Sequence, residues 1–84
     1  MKYTVYAISS LNRNYIYVGL TNNIERRLQE HDGGYNITTK PYRPFELLHI
    51  KEFSDRKPAR LYEKKLKSGS GKEFLKELRS FKMH

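Results

Sequence analysis

A chain of 84 residues has room for one domain, and a domain of this size buries a modest hydrophobic core. It contains no cysteine, which excludes disulfides and a cysteine-ligated zinc ion, and no run approaches the ~20 apolar residues of a transmembrane span. The net charge is +8, and residues 40–84 contribute +7 of it, with thirteen Lys and Arg against six Asp and Glu. We therefore expect one soluble domain over residues 1–84, with a surface that attracts polyanions such as nucleic acid.

The start of the chain predicts a β-hairpin. Tyr3–Ser9 is rich in β-branched and aromatic residues, which favour a strand over a signal peptide. Leu11–Asn14 is a turn signal, and Tyr15–Gly19 follows as the second strand. Strand alternation places Tyr17 and Gly19 on the same face.

A helix is predicted next, and its apolar stripe contains two polar residues. Asn22 is the expected N-cap, Glu25 completes a capping-box pattern, and Asp32–Gly34 ends the helix. The stripe that begins at Ile24 and Leu28 continues, three and seven residues after Ile24, with a permanently charged arginine and a histidine: Arg27 and His31.

The remaining chain predicts a loop, a strand and two helices. These are a loop at Tyr35–Pro44, a strand at Phe45–Phe53, a helix at Arg56–Lys67 capped by Asp55, a break at Ser68–Gly71 and a helix at Lys72–Phe81. In the last helix the residues expected to face the core are Phe74, Leu75, Leu78 and Phe81. The predicted fold is an α+β domain in the order β-β-α-β-α-α, a three-stranded antiparallel sheet flanked by three helices.

The second helix has a similar polar intrusion. Ala59, Tyr62 and Leu66 form its apolar stripe, and Glu63 lies at the edge of that stripe. A neighbouring basic stripe consists of Lys57, Arg60, Lys64 and Lys67. One interpretation of Glu63 is a structural, partly buried ion pair with Arg27, which would add little net stability. Structural readings also exist for His31, as a core histidine, and for the strand tyrosines.

Taken together and in order, these residues resemble the GIY-YIG nuclease family. The first family motif is matched by Thr4-Val5-Tyr6 and the second by Tyr17-Val18-Gly19. The family arginine, eight residues after that glycine, corresponds to Arg27, and the histidine one turn later to His31. The family glutamate in a later helix corresponds to Glu63. An asparagine that many members carry near the end of the domain has no counterpart in this chain.

The resemblance implies a Mg²⁺- or Mn²⁺-dependent endonuclease that hydrolyses phosphodiester bonds in DNA, or a structure-selective relative, in a role such as DNA repair. Arg27 would bind the phosphate through its planar fork, and Glu63 would hold the metal, which stabilises the departing oxygen. Tyr17, assisted by Tyr6, would orient or deprotonate the attacking water, or a tyrosine would only relay the proton to His31 or to a metal-bound water. Expected nucleic-acid contacts are Lys40, Arg43, Lys57, Arg60, Lys64 and Lys67. Thr38 and Thr39 in the loop are expected to contact the nucleic-acid backbone as well.

Three alternatives remain open from the sequence. The main one is a nucleic-acid-binding module without catalysis, and a purely structural interaction domain is the second. A histidine-metal nuclease is less favoured, because His31, His49 and His84 do not form a clustered motif. The lack of cysteine fits a reducing cytoplasm, no membrane partner is expected, and a targeting protein partner is an option.

Overall fold

The computed structural model describes residues 2–82 and has a three-stranded antiparallel sheet with helices on both faces. Its elements are β1 (Tyr3–Ser10), β2 (Ile16–Thr21), α1 (Ile24–Gly33), a short 3₁₀ helix (Lys40–Tyr42), β3 (Phe45–Phe53), α2 (Arg56–Lys67) and α3 (Gly69–Lys82). The strand order is β2-β1-β3, so the first strand is central and β2 is an edge. The predicted α+β class and element order are confirmed. No helix among residues 2–82 is long and apolar enough to cross a bilayer.

The central strand β1 divides the interior into two layers. Val5 and Ala7 are fully buried and pack against Ala59, Leu66 and Leu75 of the two C-terminal helices. The side chains between them point to the other face, where α1 packs. The apolar stripe predicted for the second helix is therefore confirmed as part of the core.

The register of β1 and β2 brings the two motif tyrosines to the same face. Tyr6 is opposite Gly19, and Ile8 is opposite Tyr17. Tyr6 and Tyr17 are consequently diagonal neighbours, close enough for aromatic side chains to interact. The second strand extends over Ile16–Thr21 and not over the predicted Tyr15–Gly19.

Both ends of α1 use local capping, but the predicted N-cap was wrong by one residue. The side chain of Asn23, not Asn22, accepts a hydrogen bond at 3.1 Å from the backbone N–H of Arg26. This replaces the expected capping box with Glu25 by a single side-chain cap. At the other end, Gly34 has φ of 78°, a left-handed conformation that glycine adopts without steric cost.

The C-terminal helix differs most from the sequence prediction. It begins at Gly69, so the predicted break at Ser68–Gly71 shrinks to the single residue Ser68 between α2 and α3. Gly71 serves helix packing, because a Cβ at this position would overlap the carbonyl oxygen of Lys65. Leu75 and Leu78 face the core as predicted, but Phe74 is 40% and Phe81 83% exposed. The prediction that Phe74 and Phe81 face the core was therefore wrong.

Candidate active site

Two tyrosines and a histidine form a cluster between the sheet and α1. Their ring centroids are 6.3 Å apart for Tyr6 and Tyr17, 5.0 Å for Tyr17 and His31, and 5.8 Å for Tyr6 and His31. His31 and Tyr6 are fully buried. The sequence anomaly in α1 is thus explained, because the apolar stripe of this helix packs its histidine directly against the two strand tyrosines.

A chain of hydrogen bonds fixes the orientation of His31. Its Nε2 lies 2.8 Å from the Tyr6 hydroxyl, and its Nδ1 lies 2.8 Å from Oγ1 of the fully buried Thr39. Thr39 Oγ1 also donates to the carbonyl oxygen of Asn36 at 3.4 Å. With that hydrogen committed, Thr39 accepts from Nδ1–H, and we assign the Tyr6 hydroxyl as the donor to Nε2.

Burial sets the protonation states of Tyr6 and His31. Loss of hydration raises the pKa of Tyr6 far above its usual value, and Tyr17 adds to the rise, whereas the positive charge of Arg27 opposes it. The pKa of His31 is lowered, first by burial and then by Arg27. At neutral pH Tyr6 therefore keeps its proton and His31 is uncharged.

Gly19 makes room for the Tyr6 hydroxyl. A Cβ at position 19 would lie 2.5 Å from Tyr6 Oη and 2.6 Å from Cζ, closer than any normal contact. The glycine of the second motif is thus required by the close approach of a side chain on the neighbouring strand.

Arg27 lines the same pocket as Tyr6 and Tyr17, and its side chain is one-third exposed. Its Nε is 3.3 Å from Glu30 Oε1, one turn along α1, but the pair lacks the alignment of a hydrogen bond. Nε is therefore a buried donor without a hydrogen-bond partner among the described residues. A buried unsatisfied donor costs free energy, so this position of the Arg27 side chain is not explained by a hydrogen bond within the fold.

Glu63 lies on α2 and is almost completely buried, with a relative exposure of 8%. Its Oε2 is 3.1 Å from Lys67 Nζ, and its Oε1 is 3.8 Å from Arg60 Nη1. The sequence-based alternative of an Arg27–Glu63 ion pair is wrong, since Arg27 pairs with Glu30 and Glu63 with two cations of its own helix. The arginine and the carboxylate both line one cavity.

That cavity, of about 420 Å³, is the candidate active site. Tyr6, Tyr17, Arg27 and Glu63 all line it, and so do further residues from the ends of β1, β2 and α2: Tyr3, Gly19, Leu20, Thr21, Asn22, Arg56 and Arg60. Three arginines and one carboxylate give it a positive balance, which suits a phosphate group.

In the part of the chain that the structure describes, the pocket offers a divalent ion one carboxylate, that of Glu63, and no cage of protein ligands. Glu63 is the only acidic residue among those lining the pocket, and residues 2–82 contain no group of three or more potential ligands. Mg²⁺ commonly takes one or two carboxylates and completes its shell with water and phosphate oxygens. Glu63 is therefore the residue that would hold such an ion.

The other predicted nucleic-acid contacts are distributed outside the pocket, except Arg60. Lys57 and Lys64 are exposed on the neighbouring face of α2, and Lys67 pairs with Glu63. Lys40 and Arg43 are exposed near the C-terminal end of α1, where both approach Gly34. The predicted contact of Thr39 with the nucleic-acid backbone was wrong, because this residue is fully buried against His31.

The remaining histidines do not join His31. His49 on β3 hydrogen-bonds through Nε2 to the Tyr62 hydroxyl at 2.7 Å, on the face covered by the C-terminal helices. His84 lies outside the described residues.

Some functional candidates were missed by the sequence reading. Arg56 lines the pocket, and its spacing of four residues from Arg60 and seven from Glu63 was the available signal. Thr39 was predicted in a different role, as a nucleic-acid contact, and its contact with His31 gave no signal because it depends on the path of an irregular loop.

Residues 2–77 match the family model of the GIY-YIG catalytic domain, and the chain therefore belongs to this family of nucleases. Among its relatives are UPF0213 proteins. One from Natronomonas pharaonis is 37% identical over 65 residues, 76% of this chain and 75% of the relative. One from Oceanobacillus iheyensis is 40% identical over 53 residues, 62% of each chain. The solution NMR structure of a UPF0213 protein from Bacillus halodurans is also similar, with a TM-score of 0.56, 28% identity, and coverage of 93% of this chain and 85% of that one.

Proposed function

We propose that the protein is a divalent-metal-dependent endonuclease that hydrolyses phosphodiester bonds in DNA, with selectivity for particular DNA structures as the narrower form of this activity. The observation that carries the proposal is the single pocket that holds Tyr17, Arg27 and Glu63, with two further arginines on its wall. The family membership supports the same reaction class.

Arg27 is proposed to bind the phosphate that is cut. Its guanidinium lines the pocket, stays charged at all relevant pH values and has a buried Nε donor without a hydrogen-bond partner. A non-bridging phosphate oxygen in the pocket would bind the exposed part of this guanidinium. The arginine would then stabilise the negative charge that develops during hydrolysis.

Glu63 is proposed to hold Mg²⁺ or Mn²⁺. A bound ion of this kind supplies Lewis-acid stabilisation of the departing 3′ oxygen. Both oxygens of Glu63 now pair with Arg60 and Lys67, so these two side chains must turn away when the carboxylate becomes a ligand. Substrate phosphates would provide the new partners for the displaced cations.

Tyr17 is proposed to orient the attacking water, with Tyr6 and His31 behind it. Tyr17 lines the pocket, and the Tyr6 hydroxyl donates to His31. Tyr6 keeps its proton because burial raises its pKa, so it positions the site and does not act as the base. The uncharged His31 accepts the hydrogen bond of the Tyr6 hydroxyl and so holds the Tyr6 ring in place beside Tyr17.

A nucleic-acid-binding module without catalysis is the second candidate. The observation that favours it is the double pairing of Glu63, since a carboxylate that is permanently neutralised by two cations would not bind a metal. The two candidates share the basic surface and differ in chemistry alone.

One assay separates the two candidates. The purified protein is incubated with Mg²⁺, Mn²⁺ or EDTA and with plasmid, branched DNA, single strands and RNA. Metal-dependent cleavage of a DNA substrate is the expected result. Binding to all these substrates without any cleavage would favour the binding module. Cleavage of RNA in preference to DNA would overturn the proposed substrate.

For partners and location, we infer that DNA is the main partner and that no membrane takes part. The pocket and basic helices give a small domain affinity for nucleic acid but few base-reading groups, so a targeting protein partner is an option. A cytoplasmic location fits a chain without cysteine.

A further inference from the structure

A second cleft adjoins the candidate active site on the side of the sheet covered by α2 and α3. Its volume is about 410 Å³. Pockets for small organic molecules occupy roughly 300–1,000 Å³. Tyr17 lines both cavities, which therefore adjoin at the edge strand β2. A strand whose phosphate enters the active site would pass this cleft.

The floor of the cleft is apolar. Ile16 and Val18 come from β2, Leu66 from α2 and Leu75 from α3. The two leucines are only 3% and 1% exposed, so the accessible apolar surface of the floor comes mainly from the half-buried Ile16 and Val18. Such a floor offers nothing to a phosphate, whereas the flat face of a nucleobase gains free energy when it is removed from water.

The rim of the cleft carries three lysines. Lys72 and Lys76 lie four residues apart on one face of α3. The third lysine, Lys67, lies on α2 and is the ion-pair partner of Glu63. Lysine is depleted at protein–protein interfaces, so this rim argues against a protein occupant. An apolar floor beneath three cations is complementary to a nucleotide, which has a flat base and an anionic phosphate.

We propose that this cleft binds one unpaired nucleobase next to the phosphate that is cut, and that Lys72 and Lys76 contact a phosphate beside that base. The path of the strand rests on the proposed nuclease function. A base inside a duplex is stacked and paired, so only an unpaired or extruded nucleotide reaches the cleft. The cleft would thus favour cutting beside unpaired nucleotides.

The contribution of the base is tested with two strands of equal charge. An oligothymidylate of about eight nucleotides, a length within the range bound by small single-strand-binding folds, is compared with an abasic strand that has the same number of phosphates. We expect the abasic strand to bind about tenfold more weakly, because it loses the contact of a base with the floor. Equal affinity for the two strands would overturn the proposal.

Methyl NMR locates the base. The signals of Ile16, Val18, Leu66 and Leu75 are expected to shift with oligothymidylate and to shift much less with the abasic strand. Leu47 and Ile50 on β3, at the opposite edge of the sheet, serve as internal controls and should not distinguish the strands. Base-dependent shifts at these controls and not at the floor would place the base elsewhere and contradict the proposal.

The rim is tested by the double variant Lys72→Ala/Lys76→Ala. The affinity for a single strand falls as salt rises, and each phosphate contact adds about 0.7 to the steepness of log affinity against log salt. Loss of both contacts should therefore make the salt dependence shallower by about 1.4. Lys2→Ala/Lys51→Ala removes the same charge from the β3 edge and should leave the slope nearly unchanged. Identical slopes for both variants would contradict a phosphate contact at the cleft.

The outcomes also separate this inference from the proposed function. If the protein cuts DNA but binds oligothymidylate and the abasic strand equally, the base site is refuted and the nuclease function stands. A protein that discriminates between the strands and cuts nothing would keep the base site and lose the nuclease assignment.

Discussion

At the residue scale, the site depends on a few close contacts around Tyr6. Its hydroxyl donates to His31, and its ring occupies the space left by Gly19. Thr39 holds the other nitrogen of the histidine. Because all these groups are buried or closely packed, a small change in one of them moves the others.

Gly19→Ala should displace the Tyr6 ring, because the added methyl would lie 2.5 Å from its hydroxyl oxygen. We expect cleavage to fall about 10²-fold, the cost typical of a displacement near 1 Å in an active site, and the protein to lose stability as the bond to His31 is strained. Gly69→Ala is the matched control, since a Cβ there meets nothing within 4 Å. Cleavage rates and thermal unfolding are measured on both variants. Equal activity of the two would refute this role for Gly19.

Stability should depend on pH through His31. Burial lowers the pKa of this histidine in the folded state, so the unfolded chain binds more protons as the pH falls below about 6.5. The stabilisation is complete above that pH and is lost as the pH decreases. Denaturant unfolding between pH 7.5 and pH 5.5 (roughly the range in which histidine titrates) should show this loss. His31→Gln should reduce the slope, leaving the contribution of His49, whose pKa burial also lowers. An unchanged slope would contradict a buried neutral His31.

At the scale of elements, helix α2 both packs against the core and carries residues of the candidate active site. Its apolar stripe fixes the helix on the sheet, while Arg56, Arg60, Glu63 and Lys67 follow at helical spacing along the side that faces the two cavities. The same helix therefore supplies the carboxylate and the cations that neutralise it.

Lys67→Ala should increase the affinity for Mn²⁺, because it frees Glu63 Oε2 from a cation 3.1 Å away. Lys64→Ala removes an equal charge from the same helix without breaking an ion pair of Glu63, and it is the control. Calorimetric titration with Mn²⁺ should give several-fold tighter binding for Lys67→Ala than for Lys64→Ala. Equal affinities would show that Lys67 does not compete with the metal.

Elements and site residues were predictable to different degrees. Periodicity located the three strands and the three α-helices but not the 3₁₀ helix at Lys40–Tyr42, because alternation and the apolar stripes of α-helices are local properties. The ends were less certain, as Asn22 and Asn23 are equally good caps by type and only the chain path selects Asn23. The sequence also could not show that Gly71 packs against α2, or that Thr39 is buried against His31, since both contacts depend on tertiary structure.

At the scale of the whole molecule, charge is concentrated on the C-terminal half. Residues 40–84 carry +7 of the total +8, and most of their cations lie on α2 and α3. Five of them line the two cavities: Arg56, Arg60, Lys67, Lys72 and Lys76. A surface of this kind attracts nucleic acid of any sequence.

Reversal of Lys57, Lys64 and Lys67 to glutamate should weaken binding to all DNA sequences alike. Fluorescence anisotropy at increasing salt should show a steep loss of affinity for the native protein and a shallower one for the triple variant. Affinity that is independent of salt, or unchanged in the triple variant, would contradict binding by this surface.

The central claim is that Glu63 and Arg27 perform chemistry and do not merely hold the fold. Metal-dependent nicking is measured together with thermal unfolding for the native protein, Glu63→Gln, Arg27→Ala and the control Glu30→Gln, which changes the partner of Arg27 but does not line the pocket. We expect Glu63→Gln and Arg27→Ala to lose about 10²–10³ in rate while they remain folded and bind DNA, and Glu30→Gln to retain most of its activity. Variants at Glu63 and Arg27 that unfold early, yet nick at the native rate when kept cold, would contradict the account.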